Sequence, residues 1–300
     1  MKVLACPGQG SQTPGFVMSW IDFPRFKEAF STLSAASGID LQDHGCFSDA
    51  DTIRDTSIAQ PLIVAASIAS ARELEPGTWD GVAGHSVGEV AALAIAGVLS
   101  DEDAMRLVVK RGQEMAKAAA KVSTSMAAVL GGEQGEVLSA IEAAGLYAAN
   151  FNGGGQIVAA GRSDLIADLV TNGLPGSRVV QLQVAGAFHT PYMQEAVEAL
   201  AEFASTLSVN DPSIALWSNK DGRLVTSGRE ALDLLVGQVA NPVRWDLTMS
   251  AMEQAGVDAL VELAPGGALA GLAKRGMANT EIVALKTREN LEAATTLLNN

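Results

Sequence analysis

Short apolar runs alternate with longer amphipathic stretches along this chain, and the alternation predicts its elements. The opening "KVLAC" reads as a short strand running into the glycine-rich loop "PGQGSQTPG". Residues 56–75, "TSIAQPLIVAASIASARELE", repeat their apolar positions on a helical period, with Pro61 near a start or kink. The turn signal Trp79-Asp80-Gly81 precedes Val82-Ala83, which ends a short buried strand. Residues 87–99 are almost wholly apolar, with Glu89 in the first turn, where the helix dipole favours an acid. Residues 102–121 predict a further helix, on which Met105, Val109, Gly112, Met115, Ala116 and Ala119 share one face at ~100° per residue. Lys110 then points nearly opposite, and Arg111 falls at the edge of the apolar face.

A change of texture follows. "SMAAVLGG" is strand-like, 134–144 helical, "LYAANFN" and "GQIVAAG" strand-like, 163–172 helical, and "RVVQLQVA" a strand. The order βαββαβ is that of a ferredoxin-like split unit, so residues 124–186 are expected as a small domain inserted into a large one formed by 1–123 and 187–300. Beyond it, 191–208 reads as helix, "IALWSN" as strand, 228–240 as helix, "NPVRWD" as loop, "VDALVELAPGG" as a strand ending in a glycine turn, and 268–276 as helix. Strands alternating with helices predict an α/β fold with a mostly parallel sheet and a site at the strand C-terminal ends.

Composition narrows the function. A net charge of −14 argues against nucleic acid or an anionic membrane as the main partner. Cys6 and Cys46 have no paired or metal-type spacing and suit a reducing cytoplasm, and three histidines cannot build a Cys/His zinc cluster. No stretch reads as a signal peptide or a membrane span. The glycine-rich N-terminal loop lacks the lysine and threonine of a phosphate loop, so it is either a plain turn or a loop whose N–H groups approach a substrate.

The candidate chemistry centres on Gly84-His85-Ser86-Val87-Gly88, a G-x-S-x-G between predicted strand and helix. That context fits a nucleophile elbow, whose glycines permit a strained turn that lifts the serine hydroxyl out of the sheet. A serine nucleophile needs a base. His85 is its neighbour and should point away at a sharp turn. His44 follows acidic loop residues and reads as exposed. His189 stands directly after a predicted strand, in "VAGAFHTPY", and is the base by elimination. Arg111, at the edge of its helix face, is either a snorkelling surface residue or one aimed into a site; the residues alone favour the surface.

"PGQGSQ", "GHSVGE", "KRG", "AFH", "NPVRW" and "ELAPGGALAGL" stand in the order seen in malonyl-CoA:acyl carrier protein transacylases, and the chain resembles that family over essentially its whole length. The resemblance implies a large domain of α/β-hydrolase-like architecture and the following roles. Ser86 would become malonylated. His189 would be its base, oriented by the backbone carbonyl of Gln238 rather than by an acid. The backbone N–H groups of Gln9 and Val87 would form the oxyanion hole. Arg111 would pair with the malonyl carboxylate, while Asn150, Asn152 and Gln156 would line the cleft. Family signatures ending at the base often read H-A-F-H for malonyl and Y-A-S-H for methylmalonyl; here Gly186-Ala187-Phe188-His189 keeps the Phe, whose volume opposes an α-methyl, and departs at the Gly. The partners implied are malonyl-CoA and holo acyl carrier protein, with no permanently bound cofactor, no metal, no nucleic acid and no membrane; a monomer is expected. Lys274, Arg275 and Arg178 are candidate contacts for an acidic carrier.

Three rivals remain. A serine esterase or thioesterase would need an acid for His189 and no Arg111. A non-catalytic acyl-binding scaffold would not need Ser86, His189 and Arg111 intact. A third keeps the chemistry and places it in malonate decarboxylation or polyketide synthesis.

Overall fold

The structure, a computed structural model, describes residues 1–184 and 186–300. In chain order the elements are β1 (Lys2–Cys6), α1 (Pro24–Ser37), α2 (Leu41–Phe47), α3 (Thr56–Ala71), β2 (Gly81–Gly84), α4 (Gly88–Ile95) and α5 (Asp101–Ala119). There follow β3 (Thr124–Gly131), α6 (Gln134–Ala143), β4 (Tyr147–Gly153), β5 (Gln156–Arg162), α7 (Ser163–Asn172) and β6 (Ser177–Gln181). The remainder comprises α8 (Gln194–Ser205), β7 (Ala215–Leu216), α9 (Gly228–Gln238), β8 (Val243–Arg244), α10 (Trp245–Gln254), β9 (Ala259–Glu262), α11 (Ala268–Gly276), β10 (Glu281–Ala284) and α12 (Asn290–Asn299).

The first sheet runs β10-β9-β1-β2-β7, and its described pairs are all parallel. Its central strands are buried on both faces, as helices on either side require. The register sets Cys6 beside Gly84, so the loops after β1 and β2 leave the sheet together. β7 lies on the other side of β2, which brings the chain after Leu216 to the same end. Helix α3 packs against α1, α4 and α5 and is buried almost throughout. Asp55 caps it, and Pro61 sits inside the helix.

The second sheet runs β6-β3-β5-β4-β8. Its first four strands are antiparallel neighbours, and α6 and α7 occupy the connections expected of the split unit. The fifth is the point of difference. The sequence pattern predicts loop over "NPVRWD", but Val243–Arg244 pairs in parallel with Asn150 and Phe151 of β4, and Trp245 starts α10. The larger unit thus lends a strand to the smaller sheet. Arg244 lies over the Phe151 ring at 4.6 Å and pairs with Asp246, which anchors the junction.

Other boundaries shift as well. The apolar stretch 87–99 forms helix only over Gly88–Ile95, because Gly97 at φ 79° turns the chain. "IALWSN" pairs with β2 only at Ala215–Leu216, with an isolated bridge from Trp217 to Leu224, and β6 stops at Gln181; the end of that predicted strand at Ala185 lies outside the described residues. Helices α1, α2 and α12 and strand β10 had not been predicted. α1 nevertheless carries Pro24 in its first turn, Gly38 at φ 69° after its end, and Phe26, Phe30 and Leu33 on its buried face.

Candidate active site

The turn after β2 carries Ser86 at φ 53°. Among the described residues only Ser86 and His189, at φ 62°, are non-glycines with positive φ. Such a conformation costs about 1–3 kcal/mol and has to be held by its surroundings. Asn219 Oδ1 accepts the Ser86 N–H at 2.8 Å, and Gln238 Nε2 donates to the Ser86 carbonyl at 3.1 Å. The flanking glycines do a different job from the one expected. Neither has positive φ; they make room instead. A Cβ on Gly84 would stand 2.1 Å from the Gly88 carbonyl carbon, and one on Gly88 would stand 2.1 Å from the Cys6 oxygen. The strain sits on the serine, and the glycines let α4 start against β1 and β2.

His189 meets this serine from the far side of a 103-residue separation. Its Nε2 lies 2.6 Å from Ser86 Oγ, and its Nδ1 lies 2.8 Å from the Gln238 carbonyl oxygen. A carbonyl only accepts, so Nδ1 carries the proton and Nε2 is left free to take one from the serine. Burial, and then the charge of Arg111, push the imidazole down to about 3, against the pull of the Gln238 carbonyl. The ring is therefore neutral throughout the physiological range, which is the state a general base requires.

Arg111 is wholly buried, contrary to the surface reading. The buried face of α5 keeps Met105, Gly112, Met115 and Ala119 of the face inferred from periodicity but extends through Ala104, Leu107, Val108, Arg111 and Ala118, so its centre is rotated towards Arg111. The cause is what covers the helix. A Cβ on Gly112 would stand 2.9 Å from the Thr56 oxygen, so α3 presses close on this side, while α8 covers another. Arg111 donates through Nη1 to Gln60 Oε1 at 2.7 Å, and through Nη2 to Gln238 Oε1 at 2.8 Å and to Ser86 Oγ at 3.4 Å. Among the described residues its Nε has no partner. Burial lowers its pKa to about 10, with Glu89 pulling the other way, so it remains a cation.

A cleft of about 380 Å³ opens over Ser86 and His189, between the two sheets. Gln9, Asn150, Asn152, Gln156 and Phe188 all line it. The N–H groups of Gln9 and Val87 meet no acceptor among the described residues, so both are free to receive one from a ligand. His85, expected to point away, also faces the cleft: its Nε2 donates to Asn152 Oδ1 at 2.9 Å, and its ring stands edge-on to Trp245. Gly8 enables that packing, since a Cβ there would sit 2.9 Å from His85 Nδ1. Gly186 has a similar reason to lack a side chain, because its Cβ would stand 2.6 Å from that of Ala119. His44 stays outside, 3.0 Å from Ser48 Oγ at the end of α2. Arg275 lines the mouth and donates to Gln156 at 3.4 Å; Lys274 and Arg178 are exposed outside the cleft lining.

Three residues at the site were missed in the sequence. Gln60 and Asn219 stand in a helix pattern and at the end of an apolar run, where nothing marks them as polar partners. Glu89, whose place in the first turn predicts a helix-dipole acid, is buried with both oxygens directed at Asn219 and Gln238. Among the described residues no cluster of His, Cys, Asp and Glu could hold a metal ion, and no helix is long and apolar enough to cross a membrane. The arrangement sets a serine hydroxyl against a neutral imidazole of fixed tautomer, with two N–H groups that meet no acceptor among the described residues and a buried cation within hydrogen-bond reach of the hydroxyl. That set suits acyl transfer from an acyl group bearing a negative charge.

A model of the acyl transferase domain family matches residues 3–297. The malonyl CoA-acyl carrier protein transacylase of Mycobacterium tuberculosis is 44% identical over 297 residues, covering 97% of this chain and 98% of that protein. The crystal structure of MCAT from Mycobacterium tuberculosis superposes with a TM-score of 0.94 at 44% identity, covering 98% and 99% of the two chains. A malonyl-transacylase in complex with the holo acyl carrier protein of a type II polyketide synthase superposes with a TM-score of 0.92 at 29% identity, over 99% of each chain.

Proposed function

We propose, from the premise that the chain belongs to the acyl transferase domain family, that it moves a malonyl group from malonyl-CoA to the phosphopantetheine thiol of acyl carrier protein, through a malonyl-serine intermediate. The protein is an acyltransferase, and its product feeds fatty-acid or polyketide synthesis. One observation carries the choice of acyl group: a buried guanidinium stands 3.4 Å from the nucleophile that the base contacts at 2.6 Å. A cation held there is an unpaired cost for a neutral acyl group and a partner for a carboxylate.

In this reading malonyl-CoA enters the cleft with its carboxylate against Arg111. His189 Nε2 takes the proton as Ser86 Oγ attacks the thioester carbonyl. The N–H groups of Gln9 and Val87 receive the developing oxyanion, the bond to sulfur breaks, and coenzyme A leaves as a thiol with the proton from His189. The carrier thiol then gives its proton to His189 and attacks the malonyl-serine; the ester bond to Ser86 Oγ breaks, the malonyl group leaves on the carrier sulfur, and His189 returns the proton to Oγ. The Gln238 carbonyl keeps Nδ1 protonated through both halves, the task an acid performs in a hydrolase. Phe188 restricts space beside the acyl group and disfavours an α-methyl, by about 1–3 kcal/mol. Coenzyme A and phosphopantetheine enter as parts of the substrates. The cytoplasm is the site proposed for the reaction, supported by the two free, buried cysteines.

Intact mass tests the reading. Mixing with malonyl-CoA should add one malonyl group at Ser86, and holo acyl carrier protein should discharge it onto its own thiol. Release as free malonate at the same rate without carrier would instead support the esterase.

A further inference from the structure

Glu89 has no task in these steps, yet it is buried on α4 directly behind the nucleophile. Its oxygens do not cap its own helix. Oε1 accepts the Asn219 N–H and Oε2 accepts Gln238 Nε2, both at 2.6 Å. No Lys, Arg or His pairs with it directly among the described residues. The two residues it holds then hold the others. Asn219 anchors the Ser86 N–H at 2.8 Å and the Gly84 carbonyl at 2.7 Å. Gln238 presents its side-chain oxygen to Arg111 at 2.8 Å and its backbone oxygen to His189 at 2.8 Å. Two donors converging on one side chain require two acceptors. Burial pushes the Glu89 carboxyl up to about 8, against the pull of both donors and of Arg111; its two oxygens can each accept, whereas an amide would set an NH2 against one of the donors.

The orientation of the Gln238 amide follows. Its NH2 turns to Glu89 at 2.6 Å, the nearest of its three acceptors, the others being the Ser86 carbonyl and Asn219 Oδ1, and its oxygen turns to Arg111. Reversed, its NH2 would oppose the guanidinium. We propose that Glu89 is a positioning residue for acyl-group choice: as a double acceptor it orients the Gln238 amide, which holds Arg111 where the carboxylate of the acyl group must meet it. This rests on Arg111 being the selector proposed above.

Charge and position predict opposite results for Glu89→Gln. If Glu89 acted only as a counter-charge, its removal would leave Arg111 less compensated and strengthen its hold on malonyl. If it positions Gln238, the variant loses malonyl transfer. We expect kcat/KM for malonyl to fall about ten- to a hundredfold, and acetyl transfer from acetyl-CoA much less. Gln238→Leu, which keeps the backbone carbonyl for His189, should lower the malonyl-to-acetyl ratio similarly, and the double variant should be no worse than the poorer single one. A ratio unchanged or raised in Glu89→Gln, or effects that multiply in the double variant, would overturn the inference. Should Glu89→Gln fail to fold, as judged by circular dichroism, Gln238→Leu decides alone: an unchanged ratio there rejects it. Arg111→Ala is the control. An unchanged ratio in that variant refutes Arg111 as selector; a changed ratio there with an unchanged one in Glu89→Gln refutes only the positioning by Glu89.

Discussion

Arg111→Ala is the substitution whose outcome the geometry constrains most. In the free protein the guanidinium satisfies Gln60 and Gln238 and reaches Ser86 Oγ. Truncation to Ala removes a fully buried cation and leaves two amide oxygens without that donor. Those losses fall on every substrate alike and register as lower stability. The loss specific to malonyl is the charge-assisted pair with its carboxylate. Breaking such a pair in a desolvated site costs about 3–5 kcal/mol, or roughly a hundred- to several thousandfold in kcat/KM. Acetyl transfer should be spared or improved, because a neutral acyl group no longer faces an unpaired cation. The assay is the ratio of kcat/KM for malonyl-CoA and acetyl-CoA with one carrier protein, alongside thermal unfolding to separate the shared loss. Arg111→Lys should recover only part of the malonyl rate, since an ammonium lacks the planar fork of donors that now reaches Gln60, Gln238 and Ser86 together. Lys110→Ala should change little: its ammonium makes a partly exposed pair with Glu114 at 2.8 Å, of a kind worth about 0.3–0.5 kcal/mol. Equal losses for malonyl and acetyl in Arg111→Ala would refute the reasoning and make the residue structural.

Other outcomes follow from the same site. Ser86→Ala should bind malonyl-CoA but form no acyl-enzyme, and a malonyl ester found on another residue by mass spectrometry would reject Ser86 as nucleophile. Burial and Arg111 hold His189 down to about 3, below its usual value of 6.5, so malonyl loading should show no acid limb around pH 6.5; a limb centred there in the pH–rate profile of the unaltered protein would contradict its being neutral. Because the unfolded chain binds that proton more readily, His189 should make the fold less stable as pH falls from about 6.5 towards 3; thermal unfolding of His189→Gln should depend less steeply on pH in that window. Carrier docking should weaken with salt more than malonyl-CoA loading does, through cations such as Lys274 and Arg275. An unchanged carrier KM in Lys274→Glu/Arg275→Glu would exclude that patch.

Much of this architecture is written locally. The elbow was legible because its requirements are local: a strand, a turn, two glycines and an apolar helix in succession. The βαββαβ order could be read in the same way, since each element carries its own period. The helix α1 shows the limit of reading rather than of sequence, for its proline, its glycine and its spaced Phe26, Phe30 and Leu33 were all present. Tertiary structure alone decided the rest. A period reports which residues of a helix are apolar, not what covers them, so it could not show the inward turn of Arg111 that the resemblance implied; α3 lying against Gly112 supplies the cover. Val243–Arg244 became a strand only because β4 offered it an edge. A backbone carbonyl has no letter in the sequence, so neither period nor spacing distinguishes the Gln238 oxygen that holds His189; only family resemblance had pointed to it. Asn219 and Glu89 act across separations of more than a hundred residues, where partners are chosen by the approach of strand ends and no spacing rule reaches.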